Sequence, residues 1–568
     1  MTLVAAAGAG GSSAAPAWVL ALAANDPSRR TGRRWLLALL LGWFVVTLMA
    51  VPMGIGSSWR ECDTQAIARN FVSEGFNPLR PRIDWRGDTD GGVECEFPLY
   101  QLMIASVIGL LGEAEWPGRL ISMLAMVMAT LSLHRLLEAR CGPSAALVGA
   151  MVFLAGGHAF LLGTRVTPDA VSTAFALAGL VAFVQFLGTG CGGTLALATV
   201  MTTVACLTKP TALQLGLLQF VWTVCVAPRR LRELRVWLAW AAVLVVVAAW
   251  IVRGIQLHAE TGLTFGVAAG GETKFPTLRS LREKWIWIWL SVTTFRYGLS
   301  AFGFVGIVML ACRRVFDRVD VALLGVVGLG LVGTLRYSHH FGVGPQYHAF
   351  AAVAGAWFAA RAWSELARRQ PFGWVDLVLV GIAACGLAGD LGVGERLGIG
   401  SGYHEFALVA GAFLLARRWR AAPSLPVGGL LLVAIVVGAQ HLGEERAFRV
   451  SSLHPSAIAV GAAVEAMSAP DELVVVHGNR EAMDAFWRRR TNFEEPMLLY
   501  LSRRRGWVLP RDGFTEAAIE DLHRRGARIV VDQFPADTPA DARAWLERHA
   551  ETVKEIDGRR ILRLRAPS

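Results

Sequence analysis

The apolar segment WLLALLLGWFVVTLMAVPMGIG (35–56) runs directly into the polar segment SSWRECDTQAIARNFVSEGF (57–76). The first segment is long enough to cross a bilayer, which takes about 20 apolar residues. The second places Arg60, Glu61 and Asp63 where that crossing ends. Acidic side chains at this depth are either solvated loop residues or parts of a functional site, and the remaining sequence has to distinguish the two.

Apolar segments of similar length recur along most of the chain. The 568 residues are 54% hydrophobic and only 17% charged, whereas a soluble domain carries about 25% charged residues. This composition predicts an all-α polytopic membrane protein with about 13 transmembrane helices. The net charge of +11 then indicates a positive-inside topology rather than nucleic-acid binding. The expected spans are 35–52, 117–137, 144–163, 170–187, 194–208, 211–226, 236–252, 298–312, 320–335, 346–361, 374–390, 404–416 and 424–441.

Charge and composition divide the chain into three parts. Residues 1–34 are rich in alanine, glycine and serine and end in arginines, so we expect a disordered cytoplasmic tail. Residues 35–441 form the transmembrane domain, with 53–116 as its first exterior loop, because arginine-rich connections alternate with arginine-poor ones. Residues 442–568 alternate strand-like and amphipathic segments, which predicts a small extracytoplasmic α/β domain. The expected location is the inner (plasma) membrane.

Asp63 opens a stretch in which Ile67 and Phe71 follow at helical spacing. This spacing predicts a short helix on the membrane surface, with Asp63 near its N-terminal end. An aspartate at that position also serves as an N-cap. Both interpretations, capping and chemistry, stay open at this point.

Three more charged residues stand at expected helix ends. Glu96 precedes Pro98, which is expected to start the next helix, and Asp169 follows Pro168 in a short exterior turn. Each acid is explained equally well by an interaction with a helix dipole. Lys209 lies between two apolar runs, where a lysine is costly unless it reaches the interface or meets an anion.

The candidate residues fall on the same, non-cytoplasmic side of the predicted topology. Acids and cations at one membrane face suit a reaction on a lipid phosphate, in which an acid takes a proton from an acceptor hydroxyl. The cations hold the phosphate leaving group while charge develops on it. Further substrate-binding candidates on this side are Arg60, Tyr100, Arg165, His340 and Gln346.

The order of these motifs resembles the C-type (GT-C) glycosyltransferases of the protein O-mannosyltransferase kind, including the bacterial transferase that adds aminoarabinose to lipid A. The likeness covers about residues 35–226 and is carried by the acid after the first span and by ECEFPLYQL (94–102), GTRVTPDAV (163–171) and ACLTKPTAL (205–213). It implies a GT-C-like fold and catalytic roles for Asp63 and Asp169. It also implies that Lys209 lies near the donor phosphate.

The chain departs from this family in two places. Glu96 belongs to a segment similar to the family's E/H-x-P-P-L, but Phe97 stands where many members have proline or lysine. A cation that those members bring to the phosphate is therefore missing, and the candidate replacements are Arg60, Arg82 and Arg86. The family's Asp-Glu pair is replaced by Glu61-Cys62-Asp63, which leaves the base as either Glu61 or Asp63; we favour Asp63.

The expected function is an inverting glycosyl transfer from a polyprenyl-phosphate-linked sugar to a hydroxyl on an acceptor glycan, lipid or protein. The expected partners are this donor lipid, the acceptor and membrane lipids, without nucleic acid. No cofactor is expected. A divalent metal is not favoured for HHFGVGPQYH (339–348), because no cysteines and no i,i+4 histidine pair lie nearby.

Two alternatives remain. A lipid or glycan transporter or flippase would use membrane acids as proton relays, although neither a mid-span acid nor an internal repeat supports it. The other is an assembly or scaffold protein that binds a partner through its α/β tail. Cys62 and Cys95 share the first exterior loop and are either bridged or unrelated.

Overall fold

The computed structural model describes residues 16–23, 30–51, 59–269, 294–334, 345–366, 404–418, 424–451, 455–478 and 496–565. It also describes positions 282, 287, 382, 483–484 and 489–490. His340 and, apart from position 382, the expected span 374–390 lie outside the described residues.

Helices make up nearly all of the described chain up to residue 451, and apolar runs produce most of them. Those before residue 270 are α1 (Ala17–Ala23), α2 (Arg30–Ala50), α3 (Trp59–Glu74), α4 (Leu99–Leu111), α5 (Trp116–Cys141), α6 (Pro143–Ala155), α7 (Gly157–Thr164), α8 (Asp169–Thr189), α9 (Gly192–Thr208), α10 (Leu213–Val226) and α11 (Leu234–Thr261). Those that follow are α12 (Ser300–Arg313), α13 (Arg318–Thr334), α14 (Ala349–Leu366), α15 (His404–Arg418) and α16 (Ser424–Ser451).

The apolar helices identify a membrane protein. Helices α5, α8 and α11 are long and apolar enough to cross a bilayer, and the bent pair of α6 and α7 adds a fourth crossing if it counts as one span. Helix α11 leaves large apolar side chains exposed, including Leu238, Leu244 and Val245, as a lipid-facing helix does. The expected count of about thirteen spans is not confirmed in the part of the chain that the structure describes.

Helices α6 and α7 divide the expected span 144–163 with a bend of 59°. Gly156 and Gly157 lie at the bend, and small-residue pairs are a common cause of helix kinks. A Cβ on Gly157 would lie 3.0 Å from Nδ1 of His441 on α16. Glycine therefore permits the close approach of these helices, which an apolar pattern alone does not reveal.

Helix α1 differs from the disordered tail expected over residues 1–34. Trp18, Val19 and Leu22 are buried, and the Trp18 ring packs edge-on against Trp222 and Trp357 at centroid distances of 6.1 and 6.4 Å. These contacts join α1 to the helical core, which is why seven residues in a low-complexity sequence form a helix.

The C-terminal part is a small α/β domain, as predicted. Its elements are α17 (Pro455–Met467), β1 (Leu473–His477), β2 (Met483–Asp484), β3 (Arg489–Arg490), α18 (Met497–Ser502), β4 (Gly506–Leu509), α19 (Glu516–Arg524), β5 (Ala527–Asp532), α20 (Ala540–His549), β6 (Ala550–Ile556) and β7 (Arg559–Leu564). Five strands form one sheet in the order β4-β1-β5-β7-β6. Strand β1 is parallel to β4 and β5, whereas β7 is antiparallel to β5 and β6.

Continuous apolar runs decide which strands of this domain can be recognised in the sequence. Strands β1 and β5 are buried along nearly their whole length, so their valine-rich sequences stand out. Strand β6 has mostly exposed side chains, and β4 has only four residues. Both are harder to recognise, because neither carries a long apolar run.

Candidate active site

Four segments of the chain, two of them within the first loop, come together at the candidate site. They are the start of α3, the segment before α4, the start of α8 and the end of α9. The backbone N–H of Phe97 donates to the carbonyl of Leu207 at 3.0 Å, which fixes the segment before α4 against the end of α9. Helices α8 and α9 are neighbours joined by a short turn, so the start of one lies beside the end of the other.

Arg60, Glu96, Lys209 and Asp169 form a continuous chain of ion pairs, here called the ion-pair chain. Arg60 Nη2 contacts Glu96 Oε2. Lys209 Nζ lies 3.0 Å from Glu96 Oε1 and 3.7 Å from Asp169 Oδ1. Glu96, Lys209 and Asp169 are all buried. The structure thus brings together charged residues that are spread over positions 60 to 209 of the sequence.

The cations of this chain hold Glu96 in its ionised form. Burial alone would raise the pKa of the Glu96 carboxyl, but the charges of Arg60 and Lys209 outweigh burial and lower the pKa to about 2. Burial would likewise lower the pKa of Lys209, yet Asp169 and Glu96 raise it. Glu96 is therefore ionised and Lys209 protonated at neutral pH.

Asp63 lies on α3 one turn after Arg60, so the two side chains are neighbours on the helix surface. Its Oδ1 accepts a hydrogen bond from the indole Nε1 of Trp85 at 3.0 Å, and both side chains are buried. Burial would lower the pKa of the Arg60 guanidinium, but Glu96, and after it Cys95 and Asp63, raise the pKa above its usual value. Helix α3 begins at Trp59, so the expectation that Asp63 caps this helix is wrong.

Glu61 is directed to a different element. Its Oε1 accepts the backbone N–H of Val166 at 2.8 Å, in the turn that leads into α8. Glu61 therefore supports the turn that carries Asp169, whereas Asp63 faces Trp85. The two acids that the sequence leaves open as the base therefore have different contacts: Glu61 accepts a backbone N–H, and Asp63 accepts the indole N–H of Trp85.

Aromatic rings lie over both cations. The Arg60 guanidinium lies 4.6 Å from the Phe265 ring centroid, and Lys209 Nζ lies 5.8 Å from that of Tyr347. Such contacts stabilise a cation beside a ring face. Sequence reasoning missed Phe265 and Trp85, because no motif or spacing marks a single aromatic residue in a long loop. Gln346 lies next to Tyr347 in the short helix Pro345–His348.

Tyr100 and Arg165 belong to a neighbouring set of contacts. The Tyr100 hydroxyl donates to the carbonyl of Gly118 at 2.7 Å and lies 2.8 Å from Ser122 Oγ. Ser122 in turn donates to the backbone carbonyl of Arg165 at 2.9 Å. Arg165 Nε lies 3.4 Å from Glu445 Oε1 on α16, which ties the turn before α8 to that helix.

Of the candidate replacements for the missing cation, Arg60 reaches the ion-pair chain. Arg82 donates to the backbone carbonyl of Glu74 at 3.0 Å, and Arg86 pairs with the Glu74 carboxylate.

Cys62 and Cys95 are both buried and free, so the first loop has no disulfide between them. Within the described ranges, no group of three His, Cys, Asp or Glu side chains is arranged to hold a metal ion.

Comparison with known proteins supports the resemblance seen in the motifs. The family model for dolichyl-phosphate-mannose-protein mannosyltransferases matches residues 96–252, which include Glu96, Asp169 and Lys209. No curated protein sequence matches the chain significantly.

Two solved structures share the fold over nearly their whole length. ArnT from Cupriavidus metallidurans in the apo state is 15% identical with a TM-score of 0.60, covering 94% of this chain and 99% of that one. The same protein bound to undecaprenyl phosphate is 16% identical with a TM-score of 0.58, covering 93% and 98%. The predicted resemblance to GT-C glycosyltransferases of this kind is thereby confirmed.

Proposed function

We propose that the protein transfers a glycosyl group from a polyprenyl-phosphate-linked donor to an acceptor hydroxyl on the extracytoplasmic side of the membrane, with inversion at the anomeric carbon. The observation that carries the proposal is the ion-pair chain, which joins the partly buried Arg60 and the buried Lys209 to Glu96 and Asp169, beside Asp63. The undecaprenyl phosphate bound by the similar ArnT structure supports this class of donor lipid.

Arg60 and Lys209 are suited to bind the donor phosphate. A guanidinium carries five N–H donors and an ammonium three, so each cation has donors beyond those that Glu96 engages. Glu96 links the two groups and holds them at a fixed separation. Cations that are already in place stabilise the negative charge that develops on a phosphate leaving group without further rearrangement.

Asp63 takes the role of base. In the transfer, the acceptor oxygen forms a bond to the anomeric carbon while the bond from that carbon to the phosphate oxygen breaks. The acceptor proton passes to the Asp63 carboxylate, and polyprenyl phosphate leaves. A buried carboxylate one helix turn from a phosphate-binding arginine has the placement that this proton transfer needs.

Asp169 acts on Lys209 rather than on the substrate directly. Its Oδ1 lies 3.7 Å from Lys209 Nζ, and it begins α8. Since Glu61 anchors the preceding turn, Asp169 is held in a fixed position relative to α3. We assign it to the orientation of the lysine and, through it, of the donor phosphate.

The comparisons offer no support for the transporter alternative. A transferase consumes purified donor in detergent and forms a glycosylated product, whereas a flippase has no net reaction to catalyse without a bilayer. Donor consumption in detergent by the purified chain therefore separates the two functions.

The decisive variant is Asp63→Asn. The amide oxygen can still accept the Trp85 N–H, so the local structure is retained while the base is lost. We expect transfer to fall by a factor of about 10³ or more, with an unchanged melting temperature and unchanged binding of polyprenyl phosphate. Transfer at the wild-type rate would end the assignment of Asp63. The anomeric configuration of the product, read by NMR, tests inversion independently.

A further inference from the structure

The loop segment 84–87 lies against the C-terminal α/β domain. The backbone N–H of Gly506 donates to the carbonyl of Asp84 at 3.1 Å, and the N–H of Gly87 donates to the carbonyl of Gly506 at 2.7 Å. Gly506 begins β4, which is an edge strand of the sheet. The segment, which is a bend and turn, is thus tied to the sheet edge by two backbone hydrogen bonds to Gly506.

Side chains reinforce this contact. Gly87 has a φ of 57°, and a Cβ at this position would lie 2.1 Å from Trp507 Nε1. A glycine therefore allows the loop to pass directly over the Trp507 ring. Next to it, Arg525 donates through Nε and Nη2 to the two carboxylate oxygens of Asp88, at 3.0 and 2.6 Å.

A second set of contacts connects the same segment to α3. Arg69 pairs with the Asp84 carboxylate and donates to the backbone carbonyl of Tyr500 at 3.0 Å. Asn70 Nδ2 donates to Asp84 Oδ1 at 3.0 Å. Asp84 is therefore held by the helix that carries Asp63, and that helix also contacts the C-terminal domain.

In the sequence, Trp85 lies between Asp84 and Gly87, the two residues whose backbone is hydrogen-bonded to Gly506 of β4. Its indole N–H donates to Asp63 Oδ1, and both side chains are buried. An indole N–H is a donor only, so this bond fixes which carboxylate oxygen faces the loop and how the carboxyl plane is turned.

We infer that Trp85 is a positioning residue for Asp63, and that the C-terminal α/β domain holds Trp85 in place through β4. The inference rests on the proposed function, in which Asp63 is the base. A base has to lie within hydrogen-bond reach of the proton it removes, and a displacement of about 1 Å lowers a rate by about 100-fold. The domain thus acts on catalysis from outside the site.

The first test is Trp85→Phe, which removes the N–H and keeps an aromatic ring beside Phe265. We expect kcat to fall about tenfold or more, because a hydrogen bond to a charged group is lost, while KM for the donor lipid stays unchanged. If the Trp85 side chain contributed only packing, the substitution would lower the melting temperature and leave kcat unchanged. Wild-type kcat in Trp85→Phe would overturn the inference.

The second test changes only the surface of the C-terminal domain. Arg525→Gln removes the pair with Asp88 across the contact, and the adjacent Arg524→Gln is its matched control, because Arg524 is more exposed and pairs with Asp521 on its own helix. We expect Arg525→Gln to lower kcat about threefold and Arg524→Gln to leave it unchanged. Equal kcat in both variants would contradict the role of the domain.

Combining variants identifies the route. If the contact acts through Trp85, adding Arg525→Gln to Trp85→Phe lowers kcat by a smaller factor than Arg525→Gln does in the wild type. Full multiplication of the two effects would contradict that route. Asp63→Asn separates the hypotheses: wild-type transfer by Asp63→Asn refutes the proposed function, whereas an inactive Asp63→Asn beside a fully active, folded Trp85→Phe refutes only the inference.

Discussion

Lys209 Nζ lies 3.0 Å from Glu96 Oε1, which joins the end of α9 to the segment before α4. The two residues are 113 positions apart in the chain and both are buried. Lys209 is therefore not a lysine that extends to the membrane surface. It is the centre of a set of charges, because Asp169 approaches it from α8 and Glu96 connects it to Arg60.

Lys209→Met tests the phosphate-binding role of this lysine. The substitution keeps the side-chain length and removes the charge, so the leaving group loses one of its two cations. We expect kcat/KM to fall about 100-fold or more and the affinity for polyprenyl phosphate to fall with it, measured by transfer assays and by binding of the lipid to purified protein. Lys209→Arg, which keeps the charge, should retain more activity than Lys209→Met. Equal loss in both variants would contradict an electrostatic role.

The ion-pair chain predicts a specific pH dependence of stability. The pKa of Glu96 is lowered from its usual value of 4.5 to about 2 in the folded chain. Its contribution to the free energy of unfolding is therefore complete above pH 4.5 and is lost as the pH falls toward 2. We expect the stability advantage of the wild type over Glu96→Gln to shrink by about 2 kcal/mol between pH 7 and pH 3. Thermal unfolding of both proteins in detergent measures it, and an unchanged difference would show that Glu96 is not held by its cations.

Helix positions could be predicted well, because apolar length is a local property. Helices α2, α5, α8 and α9 lie within a few residues of the expected spans. Asp63, Glu96, Asp169 and Lys209 were found for a related reason, since charged residues at the ends of apolar runs stand out in the sequence.

Pairing within the site could not be predicted, because it depends on tertiary contacts. The sequence gives no sign that Glu96 bridges Arg60 and Lys209, or that the indole of Trp85 reaches Asp63. A short alanine-rich segment likewise does not reveal that Trp18 is buried against Trp222.

Glu61→Gln decides between the two acids that follow the first span. The glutamine side-chain oxygen can still accept the Val166 N–H, so the turn before α8 keeps its support. We expect transfer within about tenfold of the wild type, in contrast to the loss expected for Asp63→Asn. Kinetics of the two variants under identical conditions provide the comparison. If Glu61→Gln were inactive with an unchanged melting temperature and Asp63→Asn active, Glu61 would be the base.

A buried ion pair joins α13 to α14, and we expect the stability of the helical part to depend strongly on its charges. Asp320 is fully buried and accepts from Trp357 Nε1 at 2.8 Å and from Arg361 Nη2 at 3.0 Å. Asp320→Asn removes the nearer of the two carboxylates from the buried Arg361 guanidinium and leaves only Glu365, at 3.7 Å, which costs about 3 kcal/mol or more. We expect a lower melting temperature and loss of folded protein on size-exclusion chromatography.

Asp317 is the matched control for this prediction, because it precedes the same helix but its side chain is 43% exposed. It pairs with Arg140 and accepts the backbone N–H groups of Val319 and Asp320. Asp317→Asn keeps a capping side chain and removes only a solvent-screened charge, so its cost should be about 1 kcal/mol or less. Equal destabilisation by the two variants would mean that burial of the charge does not decide the effect, and the pair of Asp320 with Arg361 would then not be what fixes α13 against α14.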